Sequence, residues 1–574
     1  MTTEGSDLSQ SIQTMPELPS DLAGSHALLR TQRQQFVEQR QEVELLRAQH
    51  RQLVEQLQEQ TRLRERLEYQ FQLLLRRFTG RSAEKMDKNQ LALFEKLLEQ
   101  LAPTTSTPSA AEPAPETASV TSKTPSAGHG RRQIPADLPR ERVIHDLPEE
   151  EKPCPCCGQM RCVIGKEVHE KLDWVPAKIK VIEHVRLTYA CKACEQAAAE
   201  SGPQIATAEL PLSPIEKGLA EPGLLAHVIV SKYSDHLPLH RLERILERHG
   251  IDIARSTMCD WMRDCAQLIK PLYTIMVKEV LESKVIHTDD TSVQVLDKNL
   301  SETRTGRFWV YLGDAHHPCT VFTHTATRER DGPMTFLQGW GKDKPAFLQA
   351  DAYGGYDGIH KGEAGGKVIE VACWAHCRRK FYDAQGSDAA GSAQALAYIR
   401  LLYDVEDRAR EQFENQSPGE EARSLSAIRL ALRQELAVPR LRQFKVWLES
   451  QQAQNGGPVL PKSPMGAAIT YALNQWEALC VYTTDGDLAI DNNASERALR
   501  RIAVGRGNWT FLGSENGGHT AAILFSFIAT CDRHKVNVFD YLRDVLTRIA
   551  AHNSTRLAEL LPDRWQQART ANPA

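Results

Sequence analysis

The sequence predicts a multidomain α+β protein, because three different residue patterns follow one another along its 574 residues. Apolar residues at heptad spacing come first, paired cysteines come next, and a longer region then changes from helical to strand periodicity. At roughly 150 residues per domain, a chain of this length forms three to four domains. A single small binding module is therefore excluded.

The overall charge is nearly balanced, with 70 Lys and Arg against 74 Asp and Glu and a formal net charge of −4. Any anionic partner must therefore bind local basic patches. The longest strongly apolar run, 521–531, is well short of the ~20 residues that a membrane span needs. Residues 1–22 lack the basic and then apolar order of a signal peptide. We expect a cytoplasmic protein with no membrane partner.

Residues 28–101 contain almost no glycine or proline, and their apolar residues recur at heptad spacing. This pattern predicts a coiled coil through which copies of the chain form a homo-oligomer. The alternative is one long helix that lies on the rest of the protein. The seam contains Phe36, Val43, Leu46, Leu53, Leu57, Leu67, Phe71, Leu74 and Phe78. Residues 102–143, rich in Pro, Ser, Thr and Ala, are predicted to form a flexible linker.

Two CxxC pairs lie in residues 144–200, with 33 residues between them. The intervening stretch has the β-branched residues of strands, so each pair can offer two thiolates to one tetrahedral zinc ion. We predict a zinc ribbon whose single zinc is structural, because four thiolates close the coordination shell. Reduced cysteines without metal are the alternative. The predicted ligands are Cys154, Cys157, Cys191 and Cys194.

Residues 211–282 have helical periodicity, with a break at His249-Gly250. Helices are predicted over 223–233 and 239–248, and a third runs through Met258. The break resembles a helix-turn-helix, in which 255–263 would read DNA. Because glycine is common in turns between helices, plain helical packing is the alternative.

Residues 283–383 change to strand periodicity. Several strands, a helix and two further strands follow in the order that is expected of a ribonuclease-H-like mixed sheet. The predicted strands are 284–289, 292–296, 308–312, 320–323, 346–349 and 368–372, and the predicted helix is 333–340.

Acidic residues at strand and helix ends are the candidates for catalysis. Asp289 and Asp290 point to opposite faces of one strand, so the alternation of side chains requires a choice between them without making it. Asp351 directly follows a short strand. Glu496 lies at a predicted helix start, where Asn493 and Glu496 also fit a capping box, a purely structural arrangement.

The segment 384–488 is rich in Ala, Leu, Arg and Glu at helical spacing, so it predicts a helical insertion in the catalytic core. It would either pack over the active site and hold DNA or serve as a scaffold for oligomer contacts. Residues 489–550 would complete the core with the helix of Glu496, and 551–574 would form a C-terminal tail.

Seven short motifs spread over nearly the whole chain give a family resemblance. They are Arg-Phe-Thr-Gly-Arg-Ser-Ala-Glu-Lys85, the four paired cysteines, Lys232-Tyr-Ser-Asp-His-Leu-Pro-Leu-His-Arg241, His287-Thr-Asp-Asp-Thr291, Leu348-Gln-Ala-Asp-Ala-Tyr-Gly-Gly-Tyr356, Cys373-Trp-Ala-His-Cys-Arg-Arg-Lys-Phe381 and Asp491-Asn-Asn-Ala-Ser-Glu-Arg497. Together they resemble the transposase of the insertion sequence sixty-six family, a bacterial DDE transposase.

The resemblance implies that Asp289, Asp351 and Glu496 form the DDE triad. At position 290 the family commonly has Glu, so Asp290 departs from the pattern. Three carboxylates suit two Mg²⁺ or Mn²⁺ ions, which activate the attacking oxygen and stabilise the leaving oxygen. The expected reaction is hydrolysis of a phosphodiester at the element's end, followed by attack of the freed 3′-hydroxyl on target DNA.

The expected partners are double-stranded DNA, as terminal inverted repeats and target, and two small accessory proteins of the same element. Arginines near the acids are expected to bind phosphates, with surface salt bridges as the alternative. These DNA-binding candidates are Arg497, Arg500, Arg501, Arg378 and Arg379.

Two other functions remain possible at this point. One is a ribonuclease-H-like nuclease or resolvase that cuts without joining, and the other is a non-catalytic, zinc-dependent DNA-binding regulator.

Overall fold

The computed structural model describes backbone for residues 22–78, 179–184, 188–190, 205–207, 212–216, 218–297, 301–416 and 423–571. The chain divides into two compact units, of which the smaller comprises residues 103–211. Within the smaller unit, strands β1 (Thr188–Ala190) and β2 (Ile205–Thr207) pair antiparallel. The four predicted zinc ligands and the linker at 102–143 lie outside the described residues.

The N-terminal helix α1 (Leu22–Phe78) is continuous over 57 residues. Side chains are described from 33 to 62, and all of them are exposed, including the seam residues Phe36, Leu53 and Leu57. These exposed side chains leave the seam open to a partner, while the helix also contacts the segment Ala389–Glu414, so the coiled coil and the single long helix lying on the rest of the protein both stay predictions. Pairing with a second helix remains a prediction, and residues 79–101 lie outside the described part.

Three helices precede the sheet, namely α2 (Pro222–Tyr233), α3 (Leu239–Arg248) and α4 (Arg255–Leu281). The turn between α3 and α4 contains Gly250 with φ of +77°, a conformation that favours glycine. Met258, Trp261 and Met262 of α4 are buried. Arg255 pairs with Glu243 at 3.1 Å, so the first turn of α4 is tied to α3. One face of α4 is therefore packed against its neighbours, and a DNA-reading role for 255–263 stays a prediction.

The central sheet has the order β5-β4-β3-β6-β7. β3 pairs antiparallel with β4, and β4 with β5, whereas β3, β6 and β7 run parallel. The elements of this part are β3 (Val285–Val295), β4 (Arg304–Leu312), β5 (Thr320–Thr325), α5 (Asp331–Phe336), β6 (Ala346–Gln349), α6 (Asp357–His360) and β7 (Val368–Val371).

One expectation about the sheet is wrong, because the predicted strands 284–289 and 292–296 are a single strand of 11 residues. The polar residues Asp290 and Thr291 suggested a turn between them. In the structure these residues pair across to Trp309 and Phe308 of β4, so the ladder of hydrogen bonds continues through the polar stretch.

Helices fill the described residues between β7 and residue 480. They are α7 (Trp374–Asp383), α8 (Ala389–Glu414), α9 (Leu425–Leu432), α10 (Val438–Gln451), α11 (Pro464–Asn474) and α12 (Trp476–Cys480), with a π-helical turn at Arg433–Ala437 between α9 and α10. Their apolar side chains form a second core, which also includes Val285 and Val371 of the sheet.

The C-terminal part returns to the sheet through α13 (Asn493–Trp509), β8 (Phe511–Leu512), α14 (Glu515–Arg533), α15 (Val538–Arg548) and α16 (Pro562–Ala571). The apolar run 521–531 forms the buried middle of α14. Within the predicted tail, Trp565 of α16 is buried and donates to Asp544 at 2.7 Å. No helix in the described part is long and apolar enough to cross a membrane.

A gap in one edge of β3 positions the candidate site. β6 pairs with β3 only as far as His287, and β8 pairs with it again only from Gln294. Between these points, side chains at and near the start and end of α13 donate to β3 in place of a strand. Asn492, which directly precedes the helix, donates to the Thr288 carbonyl at 2.8 Å, and Arg506 donates to the Ser292 carbonyl. Asp289 therefore lies opposite α13, where no strand covers it.

Candidate active site

Asp289 lies in the gap of β3 and is an acid in an unfavourable environment. Its Oδ1 accepts a hydrogen bond from the Asp290 N–H at 2.7 Å. Burial raises the pKa of Asp289 to about 7, and the charges of Asp351, Asp290 and Glu496 add to this, while the hydrogen bond opposes it. The three predicted acids therefore interact electrostatically.

Asp290, the neighbour of Asp289 on the strand, has a different role. Its carboxylate is buried and accepts from Arg307 at 2.8 Å and from Arg328 at 2.9 Å. Two guanidinium groups thus compensate its charge, and the alternation of side chains along β3 turns it away from Asp289. The structure gives Asp290 a packing role.

Asp351 follows the carboxyl end of β6, on the side of the sheet edge where the β3 gap lies. Its Oδ1 is buried without a hydrogen-bond partner in the described part of the chain. Arg328 lies 3.9 Å from its Oδ2 and stacks on the Tyr353 ring at 4.0 Å. Burial raises the pKa of Asp351, and the positive charges of His376 and Arg328 counteract it.

Glu496 lies in the first turn of α13 and is exposed. Its Oε1 is 3.5 Å from Nε2 of His376 on α7. The prediction of a capping box at Asn493 and Glu496 is wrong. The residue at the N-cap is Asn492, and its side chain makes no hydrogen bond to the first turn of the helix. Ser495 occupies the third helical position and donates to the Asn492 carbonyl at 2.8 Å. Glu496 is therefore free of a capping role, and its charge contributes to the raised pKa of Asp289.

Asn492 is the residue that joins these elements, and sequence reasoning did not single it out. It is fully buried. Besides donating to Thr288, it contacts Nδ1 of His287 at 3.1 Å through Oδ1, and its N–H donates to Cys373 Sγ at 3.1 Å. Since β3 bears Asp289 and α7 bears His376, one amide holds the elements of the site in register.

The three candidate acids do not form a tight single-ion cluster. Within the described residues, three other side chains bring potential metal-ligand atoms within 4.8 Å of one another. They are His324, Glu515 and His519, which lie away from the three acids. Asp289, Asp351 and Glu496 are coupled over longer distances. The charges of Asp351 and Glu496 thus affect the pKa of Asp289, although the three acids do not bring their ligand atoms within 4.8 Å of one another.

The predicted DNA-binding arginines fall into two groups. Arg497, Arg500, Arg378 and Arg379 are exposed on α13 and α7, next to the acids. Arg501 is partly buried and pairs with Asp532 of α14, so it joins two helices. The first four remain candidates for phosphate contacts, whereas Arg501 has a partner within the chain.

Arg307, Arg328, His376 and Asn492 were missed as site residues because their partners are distant in sequence. His376 is 120 positions from Glu496, and Arg328 is 38 positions from Asp290. A signal was present for two of the four: His376 belongs to the Cys373–Phe381 motif, and Asn492 directly precedes the helix of Glu496.

Comparison with known families gives four matches on this chain. A family model described as "Transposase IS66 family" matches residues 217–520, which include the three acids. The "zinc-finger binding domain of transposase IS66" matches residues 151–195 and encloses all four paired cysteines. The "IS66 C-terminal element" matches residues 526–562, and "Transposase C of IS166 homeodomain" matches residues 66–143.

Similar proteins occur in Sinorhizobium fredii (strain NBRC 101917 / NGR234). "Uncharacterized protein y4hP" is 32% identical over 453 residues, which cover 77% of this chain and 78% of that protein. "Uncharacterized protein y4qI" is 33% identical over 432 residues, covering 73% and 74%. "Uncharacterized protein y4jD" is 30% identical over 455 residues, covering 77% and 83%.

Proposed function

Because the chain belongs to the IS66 transposase family, and is thus a transposase that binds DNA, we propose that it moves an insertion sequence by DDE chemistry. In the proposed reaction, water first attacks a phosphodiester at the element's end. The freed 3′-hydroxyl then attacks a phosphodiester of target DNA. Each step forms one P–O bond and breaks another, with the displaced 3′-oxygen as the leaving group.

A ribonuclease-H-like core is the fold we propose for the catalytic part. Its support is the sheet order β5-β4-β3-β6-β7, with an antiparallel meander on one side and parallel strands on the other. In this fold the acids lie on the central strand, on the strand beside it and on a helix that crosses the sheet, which matches the positions of Asp289, Asp351 and Glu496.

The single observation that supports catalysis best is that two half-buried carboxyls, those of Asp289 and Asp351, have raised pKa values, and that Asp289 has no ion pair in the described part of the chain. Burial raises the pKa of both carboxyls, and the charge of Asp351 adds to this at Asp289. Such carboxylates suit divalent cations, and Oδ1 of Asp351, which has no hydrogen-bond partner in the described part of the chain, is an available oxygen ligand. We propose that Asp289, Asp351 and Glu496 hold two Mg²⁺ or Mn²⁺ ions. When bound, such ions stabilise the attacking and leaving oxygens of an in-line displacement.

The protein's own residues orient the acids and the DNA. Asn492 fixes α13 against β3, and His376 positions the Glu496 carboxylate. Arg497, Arg500, Arg378 and Arg379 are proposed to bind backbone phosphates beside the acids, which fixes the position of the strand to be cut. Arg328 lies between Asp290 and Asp351 and limits the movement of both.

Other parts of the chain have supporting roles in this proposal. The cysteine pairs hold one structural zinc ion, for which the zinc-finger match is the support. The exposed seam of α1 pairs copies of the chain, so that two DNA ends come together. Terminal inverted repeats and target DNA are the substrates, two small accessory proteins of the element assist, and the activity belongs to the bacterial cytoplasm.

A cleavage and strand-transfer assay tests the proposal. Purified chain, Mg²⁺ and DNA carrying the ends of the element that encodes it should give nicked ends and joined products. Asp289→Asn, Asp351→Asn and Glu496→Gln should abolish both steps and keep DNA binding, while Glu449→Gln on the exposed side of α10 keeps full activity. Cleavage without joining of pre-cut ends would favour a nuclease, and full activity of a triad variant would refute the assignment.

A further inference from the structure

A second group of metal-ligand side chains lies away from the three acids, where edge strand β5 meets the first turns of α14. His324 of β5 places Nδ1 2.9 Å from Oε1 of Glu515, and Nε2 of His519 lies 4.0 Å from the same oxygen. The three ligand atoms lie within 4.8 Å of one another. β5 is two strands away from β3, so this group is separate from Asp289.

The His324 side chain is buried, and the hydrogen-bonding capacity of its two ring nitrogens is not satisfied in the described part of the chain. Its side chain is fully shielded from solvent, and neither ring nitrogen has a well-aligned hydrogen bond in the described part of the chain. A buried, unsatisfied imidazole costs free energy unless something binds it. Because Nδ1 faces Glu515, a ligand shared with that carboxylate would satisfy it.

Two glycines leave room for the His324 ring. A Cβ at Gly518 would come within 2.6 Å of Nδ1, and a Cβ at Gly306 would come within 3.0 Å of Nε2. Phe308 packs edge-on against the ring, with centroids 5.1 Å apart. The ring is thus closely surrounded at both glycine positions and by Phe308.

Glu515 and His519 lie four residues apart on α14, so they share one face of the helix. Arg304 pairs with Oε2 of Glu515, which leaves Oε1 turned toward the two histidines. His519 is about half exposed, at 56%, and Glu515 is partly exposed. The group is therefore closed on the side of His324 and open to solvent on the side of His519.

We propose that His324, Glu515 and His519 form a binding site for a divalent transition-metal ion such as Zn²⁺. Two imidazoles and one carboxylate are a usual ligand set for zinc, and three protein ligands leave a position for water. The bound ion joins β5 to α14 across the packing of sheet and helix. The site is independent of the proposed DNA reaction, because it shares no residue with the three acids.

Zinc titration of the full chain tests this site, with zinc already bound at the cysteines. A chromophoric chelator competes for further Zn²⁺, and the wild type should take up one more equivalent than His519→Ala. Where zinc binding is still measurable in the variant, its affinity for Zn²⁺ should fall by at least about tenfold. Loss of a residue that only hydrogen-bonds to a metal ligand already has an effect of that size. The thermal unfolding midpoint should rise with Zn²⁺ in the wild type and stay constant in the variant.

Two further variants make the result decisive. His249→Ala removes an exposed histidine from the turn after α3 and should retain the extra equivalent. His519→Cys should also retain it, because a thiolate is a zinc ligand. His519 is exposed enough to be replaced without loss of packing. Equal stoichiometry and affinity in wild type and His519→Ala, or equal loss in His249→Ala, would overturn the site.

Discussion

A buried acid, Glu406, and a half-buried acid, Asp289, differ in whether an ion pair compensates their charge. Glu406, in the helical segment, binds the fully buried Arg433 through two hydrogen bonds of 2.7 and 2.8 Å, and Arg433 also donates to the carbonyls of Tyr482, Asp485 and Leu488. Asp289, in the sheet, has no ion pair within the described part of the chain, and its pKa rises to about 7.

This difference separates a structural charge from a functional one. The Glu406 pair is fully hydrogen-bonded, so it fixes α8 against the π-helical turn and the loop after α12. An uncompensated buried acid reduces stability, and a protein that retains one usually requires it for chemistry. The comparison predicts that removing the charge of Arg433 destabilises the protein, whereas removing the charge of Asp289 stabilises it.

The largest effect is expected for Arg433→Met. It leaves Glu406 buried beside three unpaired carbonyls, and Arg429, at 3.5 Å, compensates only in part. Breaking a buried ion pair should lower the free energy of unfolding by about 3–5 kcal/mol. Urea unfolding measures this. The control Arg400→Met removes a more exposed pair with Asp407 and should cost under about 1 kcal/mol. Equal losses in the two variants would contradict the comparison.

Asp289→Asn should have the opposite sign. Asn keeps the oxygen that accepts from Asp290, but it has no charge. Between the unfolded pKa near 4 and the folded pKa near 7, wild-type stability falls as pH rises, because the folded chain retains a proton that the unfolded chain has lost. The variant should therefore be more stable at pH 8 by on the order of 2–4 kcal/mol.

The pH dependence distinguishes this effect from simple repacking. Urea unfolding without added Mg²⁺ should give a smaller difference at pH 5 than at pH 8, since the wild-type carboxyl is still mostly protonated there. A variant that is less stable than the wild type at pH 8, or a difference that does not depend on pH, would show that Asp289 is compensated after all.

Asp290→Asn, one residue away, should destabilise the protein. It removes the charge that Arg307 and Arg328 share, and both arginines are partly buried. Charge-assisted hydrogen bonds are worth roughly 1.5–3 kcal/mol each, but partial exposure reduces this, so we expect a loss of about 1–2 kcal/mol in urea unfolding at pH 7. If Asp290→Asn instead stabilises the chain as Asp289→Asn does, the two aspartates are not distinct.

The smallest effect on stability is expected for Arg497→Gln, which removes an exposed charge beside Glu496. Unfolding should change by less than about 0.5 kcal/mol, as for most surface substitutions. Binding to DNA should weaken, and the slope of log affinity against log salt should fall by about 1. The control Arg442→Gln, on α10, should leave both unchanged, and the same slope in Arg497→Gln and wild type would exclude a phosphate contact.

Local periodicity predicted much of this fold. The helix at 239–248 has the predicted bounds, and strands occur near 308–312, 320–323, 346–349 and 368–372, because their apolar residues pack into the two hydrophobic cores. The continuity of β3 through Asp290 was not predictable in this way, since it depends on Arg307 and Arg328, which meet Asp290 only after folding.

The sequence was enough to name the candidate acids of the site, but it did not predict how their neighbours position them. Side-chain alternation could not choose between Asp289 and Asp290, and only the family resemblance did so. The helix start was misjudged by one residue because Asn492 uses its amide for β3 instead of capping its own helix. The pairing of Arg501 with Asp532 was likewise hidden, because the spacing along one helix does not reveal a partner on another.

The most direct test of the central claim, that Asp289, Asp351 and Glu496 bind divalent ions together, is Mn²⁺ binding by the full chain, followed by electron paramagnetic resonance. The cysteines are loaded with zinc, and His519→Ala is the background, so that the proposed His324 site does not contribute. We predict that the background protein binds Mn²⁺ and that Asp289→Asn and Asp351→Asn each weaken this binding by at least about tenfold. Unchanged Mn²⁺ binding in either variant would contradict the account.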